Sequence, residues 1–313
     1  MRRAVIDVGS NSVLLVVAEL REGVWIPVME ASSVTGLGEG TKKTGVLSEA
    51  GMAKTLKAVR KFYDRAIEAG ADRLVAAATM AARIASNTDE FLARAQSQNT
   101  PVTVLSGDDE ADLGFKSVAE DPTFAHRTPL SIVDVGGQST EIVFSRLAGK
   151  KREIRFSQSF PIGTLALRSG VLHEESPSVA SRMFAVQEID DAIALNCQPG
   201  EAGRVVALGA TATNLVTIRE AMAEWEPGRV HGAFLDYEEI GRSVGWLCSM
   251  TDSERAGVPG LEKGREATIH IGALILERCL FALSVEGCLV GVRGWRHALL
   301  GDGRWFGDEK VRD

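Results

Sequence analysis

The segment Ala4–Ser12, AVIDVGSNS, returns later in the chain as Ser131–Thr140, SIVDVGGQST. Each copy has an apolar, largely β-branched run that ends in an aspartate, then a glycine turn, then a second apolar run. This pattern predicts a β-hairpin whose tip carries small polar side chains. Because the two copies lie a whole domain apart, they indicate a duplicated domain and not a short tandem repeat.

Between and after these copies, helical and strand patterns alternate. Apolar spacing and short β-branched runs predict helices between Ser48 and Gly70, over Thr88–Gln98, Asp109–Ala119 and Ala180–Ala194, and from near Thr213, with strands over Arg73–Ala78, Val102–Leu105 and Arg204–Leu208. This alternation predicts an α/β protein in which helices cover the sheets. The stretch 121–129 has two prolines and little periodicity, so we place a boundary near residue 125, between domains 1–125 and 126–313.

Composition and charge limit the class of protein. The chain has 313 residues, 45% of them hydrophobic and 25% charged, which is typical of a globular protein with two domains. Its net charge of −7 argues against a general nucleic-acid binder, because such proteins carry a basic face that displaces counterions. The apolar stretch Ile269–Val285 contains charged side chains, and Asp7 interrupts any signal-peptide pattern. We therefore expect a cytoplasmic protein without a membrane partner.

The cysteines and histidines narrow the chemistry. The cysteines Cys197, Cys248, Cys279 and Cys288 show no C-x-x-C spacing, so we expect reduced buried thiols and neither a disulfide framework nor a zinc site. The five histidines are scattered without an H-E-x-x-H motif, and the chain has neither a nucleophile elbow nor a P-loop motif. The sequence thus indicates no covalent mechanism.

The two hairpin tips are the first candidates for a binding site. The first tip has Asp7 at the strand end, then Gly9 and the polar residues Ser10, Asn11 and Ser12. The second has two carboxylates, Asp134 and Glu141, around Gly136, Gly137, Gln138, Ser139 and Thr140. Such turns let backbone N–H groups approach an anion closely, although a plain hairpin turn with a capping aspartate is the alternative. Two such tips favour a phosphate site in a cleft between the domains, and carboxylates without His or Cys favour Mg²⁺ or Mn²⁺.

Further segments carry groups that suit phosphate chemistry. Glu110 is one of several acids in the first turn of a predicted helix. Their spacing alone favours N-terminal capping. A glutamate at this place could instead orient or deprotonate an attacking water. Arg83 could bind a phosphate through its planar fork or lie solvated on the surface. The turns Ser159–Thr164 and Leu208–Asn214, the latter with Gly209 and Thr211, could present helix N-termini to phosphates or serve as ordinary loops.

Together these segments resemble the exopolyphosphatase and guanosine pentaphosphate phosphohydrolase (Ppx/GppA) family of the actin-like ATPase and sugar kinase superfamily. The resemblance covers nearly the whole chain and is carried, in this order, by Asp7–Ser12, Leu37–Gly40, Thr79–Asn87, Ser106–Ala111, Asp134–Glu141, Ser159–Gly163 and Gly209–Asn214. It implies two ribonuclease-H-like domains with the active site in the cleft between them. The chain looks like the short form of the family, without extra helical domains.

The same resemblance implies roles for single residues. Glu110 matches the acid that activates water, and Arg83 and the glycine turns match groups that bind phosphates. Asp7, Asp134 and Glu141 match residues that hold magnesium directly or through water. The implied reaction removes terminal phosphate from inorganic polyphosphate, with guanosine pentaphosphate as the alternative substrate.

Departures from the family pattern keep other functions open. Gly36 stands where members usually have an arginine, and Gln138, Ala210 and Ala267 also differ from the usual residues. A catalytically weak polyphosphate or nucleotide sensor and a small-molecule kinase of the superfamily are therefore alternatives. The predicted helix Arg265–Leu283 has apolar residues on most faces, which suits either a core position or the seam of a homodimer.

Overall fold

The computed structural model describes residues 1–124, 129–148, 151–195 and 200–307. These residues form two compact units. Unit 1 comprises Met1–Ser117 and the segment that starts at Trp295, and unit 2 comprises Val118–Gly294. The predicted boundary near residue 125 lies outside the described residues.

The elements follow one another in chain order. The first part contains β1 Arg2–Val8, β2 Ser12–Arg21, β3 Val24–Val34, α1 Thr41–Thr44, α2 Glu49–Glu68, β4 Arg73–Ala78, α3 Met80–Ile84, α4 Thr88–Ser97, β5 Thr103–Val104 and α5 Gly107–Ala119. The second part contains β6 Leu130–Val135, β7 Thr140–Ala148, β8 Lys151–Phe160, α6 Thr164–Arg168, α7 Val179–Ile193, β9 Arg204–Leu208, α8 Gly209–Arg219, α9 Pro227–Val230, β10 Phe234–Asp236, α10 Tyr237–Cys248, α11 Asp252–Ala256, α12 Ile269–Ala282, β11 Gly287–Val290, α13 Trp295–Leu299 and a 3₁₀ turn Gly303–Phe306.

Both units have a mixed sheet with the same arrangement of strands. The order is β3-β2-β1-β4-β5 in unit 1 and β10-β11-β9-β6-β7-β8 in unit 2, so five strands correspond and β10 is an addition at one edge. In each unit the first strand pairs antiparallel with the second and parallel with the strand that follows the first helical crossover. The prediction of an α/β protein built from a duplicated domain is confirmed.

A buried arginine fastens the carboxyl-terminal segment to the sheet of unit 1. Arg3 on β1 lies between the rings of Trp25 and Phe306, 4.8 and 4.4 Å from their centroids. It also donates a hydrogen bond to the Leu300 carbonyl at 2.7 Å. Cation–π contacts of this kind contribute about 0.5–2 kcal/mol each when they are partly desolvated. The segment that starts at Trp295 is therefore an integral part of unit 1.

Helix α12 lies in the core of unit 2. Its side chains from Ile269 to Leu276, together with Cys279 and Leu280, are buried. This burial explains the nearly uniform apolar sequence and assigns the helix to the core of the unit. The helix begins at Ile269, four residues later than the sequence predicted, and Gly272 lets it approach the side chain of Thr211 on α8.

The buried side chain of His270 on α12 leads us to expect that the stability of unit 2 falls at acidic pH. The side chain is 0% exposed, and within the described residues neither ring nitrogen has a hydrogen-bond partner. Burial, with smaller contributions from the positive charges of Arg255 and Arg168, lowers the pKa of His270 from 6.5 to about 3. Between these two values the unfolded chain binds a proton that the folded chain excludes, so stability falls as the pH decreases.

We expect the free energy of unfolding to fall by about 1.4 kcal/mol per pH unit below pH 6 on account of this histidine. Replacing it by leucine, His270→Leu, should flatten that dependence while leaving an apolar side chain in the core. Urea unfolding between pH 4.5 and 7 measures the free energy of unfolding of the wild type and of the variant. Equal slopes for the variant and the wild type would show that His270 does not control acid stability.

Several sequence predictions need correction in detail. Helix α8 begins at Gly209, four residues before the predicted start near Thr213, and β5 has two residues where four were predicted.

Cys248, Cys279 and Cys288 are free and buried, as expected for reduced thiols, and Cys197 lies outside the described residues. Among the helices that the structure describes, none combines the length and the apolar character that crossing a bilayer requires.

Candidate active site

The first hairpin tip is held in place by hydrogen bonds from two neighbouring segments. Gly9 N donates to Ser12 O at 2.9 Å and closes the turn between β1 and β2. The Asn11 carbonyl accepts from the N–H groups of Thr35 and Gly36, and Ser10 Oγ accepts from Ala81 N at the start of α3. The tip is therefore fixed against the helix that carries Arg83.

Polar atoms at the first tip are buried without partners. Asp7 Oδ1, Asn11 Nδ2 and Ser12 Oγ have no hydrogen-bond partner among the described residues. Burial raises the pKa of Asp7 to about 7, while the positive charge of Arg296 acts in the opposite direction. Buried polar groups without partners reduce stability, and they are explained when a polar or charged ligand completes their hydrogen bonding.

The second hairpin tip has the same backbone turn and one more carboxylate. Gly136 N donates to Ser139 O at 2.9 Å, as Gly9 does in the first copy. Asp134 pairs directly with Glu141 across β6 and β7, whereas the corresponding partner of Asp7 is Leu14. Because directly opposed residues in an antiparallel pair point to the same face, the two carboxylates lie side by side.

Adjacent carboxylates repel each other unless a cation lies close to both. Ser159 Oγ donates to Glu141 Oε1 at 2.6 Å and fixes that side chain from β8. The oxygen-only donors of Asp134 and Glu141 suit Mg²⁺ or Mn²⁺ better than zinc. Within the described parts of the chain, no group of three or more His, Cys, Asp and Glu side chains forms a ready-made metal cluster.

A third turn lies beside Asp134. Gly209, at the start of α8, has a φ of +80°, and a Cβ at this position would lie 2.7 Å from Asp134 Oδ1. No side chain caps the amino terminus of α8, and the first N–H groups of a helix have no acceptor within the helix. Free N–H groups at a helix N-terminus are suited to bind anions, and Thr211 contributes a hydroxyl to the same turn.

The turn Ser159–Thr164 has a structural role. The N–H groups of Thr164, Leu165 and Ala166 donate to the carbonyls of Gly136 and Gly137. Thr140 Oγ1 donates to the Ile162 carbonyl at 2.7 Å. The amino terminus of α6 therefore supports the second hairpin tip, and its N–H groups are already occupied by protein acceptors.

Glu110 is ion-paired with Arg83. Arg83 Nη1 donates to Glu110 Oε2 at 2.7 Å and to the Leu105 carbonyl at 2.8 Å. Both side chains are partly buried, with 17% and 14% of their surfaces exposed. The neighbouring acid Asp109 takes part in the helix cap, since the Ser106 hydroxyl accepts from the Asp109 N–H and donates to the Asp109 carboxylate. Helix capping thus accounts for the position of the Asp109 carboxylate, but it does not account for the contact between Glu110 and Arg83.

Three arginines that follow α11 in the chain form ion pairs. Arg265 contacts Glu262, Arg293 contacts Asp121, and Arg296 contacts Glu30, in each case within one unit. The departure at Gly36 has a local explanation, because its φ is +67°, a conformation that favours glycine.

Each unit brings together a subset of the predicted site residues. Unit 1 joins the tip Asp7–Ser12 to α3 and joins Arg83 to Glu110. Unit 2 joins Asp134 and Glu141 to the turn Gly136–Thr140 and to the turn that contains Gly209 and Thr211. Sequence reasoning assigned no individual role to Ser159 or Gly163, although the position of Ser159 opposite Glu141 follows from strand register.

Several known proteins are similar to this chain in sequence and in fold. The sequence model of the Ppx/GppA phosphatase family matches residues 16–302. Exopolyphosphatase 2 of Mycobacterium tuberculosis is 28% identical, over 88% of this chain and 89% of the relative. A solved Ppx/GppA family member from Aquifex aeolicus is 27% identical and covers 99% of both chains with a TM-score of 0.79. An exopolyphosphatase structure from Cytophaga hutchinsonii, 23% identical over 99% of both chains, shares the fold with a TM-score of 0.85.

Proposed function

The chain belongs to the Ppx/GppA phosphatase family, whose members hydrolyse phosphoanhydrides, and on this basis we propose that it removes terminal phosphate from inorganic polyphosphate in a magnesium-dependent reaction. The observation that carries the proposal is the adjacent pair Asp134 and Glu141, flanked by a glycine turn and by the N–H groups at the start of α8. Carboxylates for a divalent ion beside donors for phosphate oxygens are the groups that phosphoanhydride hydrolysis requires.

Residues of both units contribute to the proposed reaction. Glu110 orients an attacking water and accepts its proton, and Arg83 binds a phosphate oxygen. The turns Ser10–Ser12, Gly136–Thr140 and Gly209–Thr211 supply backbone and side-chain donors to further phosphate oxygens. Donors fixed in advance stabilise the charge that develops in the transition state without reorganising at that moment.

The residues present fit a magnesium ion. Asp134 and Glu141 would hold it, with Asp7 as a direct or water-mediated ligand, and the buried Oδ1 of Asp7 has no competing partner among the described residues. A bound magnesium ion would offset negative charge on the phosphate oxygens. Ionisation of Asp7, which burial disfavours, becomes favourable beside a divalent cation.

The proposal is tested by measuring released phosphate. Long-chain polyphosphate, guanosine pentaphosphate and ATP are supplied in parallel, each with Mg²⁺, with Mn²⁺ and with excess EDTA. We expect the highest kcat/KM on polyphosphate and a loss of more than about 100-fold on chelation, restored by added Mg²⁺. Equal release with and without the chelator would contradict the magnesium requirement, and preferential release from guanosine pentaphosphate would assign the nucleotide as the substrate.

A further inference from the structure

The ion pair between Arg83 and Glu110 joins two residues to which the proposed function gives separate tasks. Arg83 was assigned to phosphate and Glu110 to water, yet the two side chains contact each other directly at 2.7 Å. Phosphate binding alone does not explain this contact. Neutralisation of Glu110 alone does not explain why Arg83 lies on α3, whose first turn is hydrogen-bonded to Ser10 of the first hairpin tip.

The geometry of the guanidinium shows how one side chain can serve both tasks. Nη1 uses its hydrogens on Glu110 Oε2 and on the Leu105 carbonyl. Among the described residues, Nη2 donates only to the weak acceptor Met80 Sδ, at 3.6 Å, and Nε donates to none. The Nε–H and one Nη2–H lie on a common edge of the planar group, which is the edge that binds carboxylates or phosphates in a bidentate manner.

We propose that Arg83 is a positioning residue for Glu110 as well as a phosphate ligand, with Nη1 orienting the glutamate while the Nε and Nη2 edge binds a substrate phosphate. The inference rests on the proposed function. One rigid, planar group then sets the distance between the base and the phosphate that is attacked. The Leu105 carbonyl fixes the guanidinium from the side of α5, so that the group does not simply follow the substrate.

This arrangement has a defined consequence for the reaction. The water oxygen forms a bond to the terminal phosphorus, Glu110 accepts the proton, and the bond from that phosphorus to the bridging oxygen breaks. The bridging oxygen leaves with the electron pair on the shortened chain. Arg83 Nη1, 2.7 Å from Glu110 Oε2, holds the glutamate in the orientation that this step requires.

Arg83→Gln and Arg83→Lys separate positioning from phosphate binding. If Arg83 only binds phosphate, Arg83→Gln raises KM and lowers kcat only through lost charge stabilisation, so the pH profile of kcat stays unchanged. If it also positions Glu110, kcat falls by about 100-fold and the acidic limb of the kcat profile moves up by about one pH unit or more. Arg83→Lys keeps the charge but not the fork, so it should restore the acidic limb more fully than kcat.

Two further measurements make the result specific. Guanidinium ion added to Arg83→Ala should recover part of kcat, which a purely structural loss would not allow. The control Arg94→Gln removes ion pairs of similar length, 2.7 and 2.6 Å to Glu49 and Glu90 in the same unit, and should leave kcat and the pH profile as in the wild type. An unchanged acidic limb in Arg83→Gln, with no rescue by guanidinium, would overturn the proposal.

A measurement without turnover separates this inference from the proposed function. Carboxyl ¹³C shifts of Glu110, followed by NMR against pH, report its ionisation in the wild type and in Arg83→Gln. We expect the glutamate to titrate at a higher pH in the variant. If the wild type released no phosphate from any tested substrate, the proposed function would fail, while this titration would still decide whether Arg83 controls the charge of Glu110. Identical titration curves would refute that control.

Discussion

Replacing Glu110 by glutamine is expected to lower kcat by about 10²- to 10⁴-fold, which is the usual contribution of a general base. Glutamine has nearly the same size and can still accept a hydrogen bond from Arg83, but its amide cannot take a proton from water. Substrate binding depends on the turns and on Arg83, so KM should change by less than about threefold. Single-turnover phosphate release and equilibrium binding of polyphosphate measure the two effects separately.

Asp108→Asn is the matched control for this prediction. Asp108 is an exposed acid in the same first turn of α5, so its replacement removes one negative charge at nearly the same place. We expect this control to retain the kcat of the wild type. Comparable kcat values for Glu110→Gln and Asp108→Asn would remove Glu110 from the reaction and leave only an electrostatic role for the acidic turn.

The parts of the fold that the sequence predicted well are those with a strong local period. The hairpins β1–β2 and β6–β7 follow from alternating apolar runs that end at an Asp-x-Gly turn, and α2 follows from its apolar face and its Ser48 cap. Strand β3 was missed although Val24, Trp25 and Ile26 are good strand residues after a Glu22-Gly23 turn in which both φ angles are positive. Pro27 and the exposed apolar side chains of this edge strand weakened the pattern.

The candidate site was predictable only where it depends on strand register. Asp134 and Glu141 must face the same side once β6 and β7 form a hairpin closed by Gly136. The pair Arg83 and Glu110 was not predictable, because it joins α3 to α5, which follow the neighbouring parallel strands β4 and β5, and depends on tertiary packing. By spacing alone, Glu110 is indistinguishable from the neighbouring capping acids, and the structure separates them by what each carboxylate contacts.

The duplication is asymmetric where chemistry is expected. Both copies keep the aspartate at the end of the first strand and the same turn hydrogen bond, but Leu14 stands where the second copy has Glu141. In unit 1 the acid that acts in the reaction we propose comes instead from α5. A duplicated fold thus supplies two equivalent backbone turns, and different side chains on them divide the tasks of holding a cation and activating water.

Gly163→Ala is expected to lower both the stability of unit 2 and the activity, because Gly163 packs against the second hairpin tip. Gly163 has an extended backbone, so alanine is allowed by its φ of −153°, but a Cβ would lie 2.5 Å from Gln138 N and from the carbonyl carbon and oxygen of Gly137. These are backbone atoms of the second tip, and they cannot move aside without displacing the turn. Overpacking of this kind costs about 1–3 kcal/mol of stability, and a displacement of about 1 Å at a site can lower kcat by about 100-fold.

Urea unfolding and phosphate release on the same preparations distinguish the two consequences of this variant. Gly245→Ala in α10 is the control, because a Cβ there meets no atom within 4 Å and alanine is favoured over glycine inside a helix by about 0.5–1 kcal/mol. The control should be as stable as the wild type or slightly more stable, with unchanged kcat. If Gly163→Ala kept both stability and kcat, the close packing of α6 against the turn would not be what holds that turn in position, and the support assigned to residues 163–166 would be wrong.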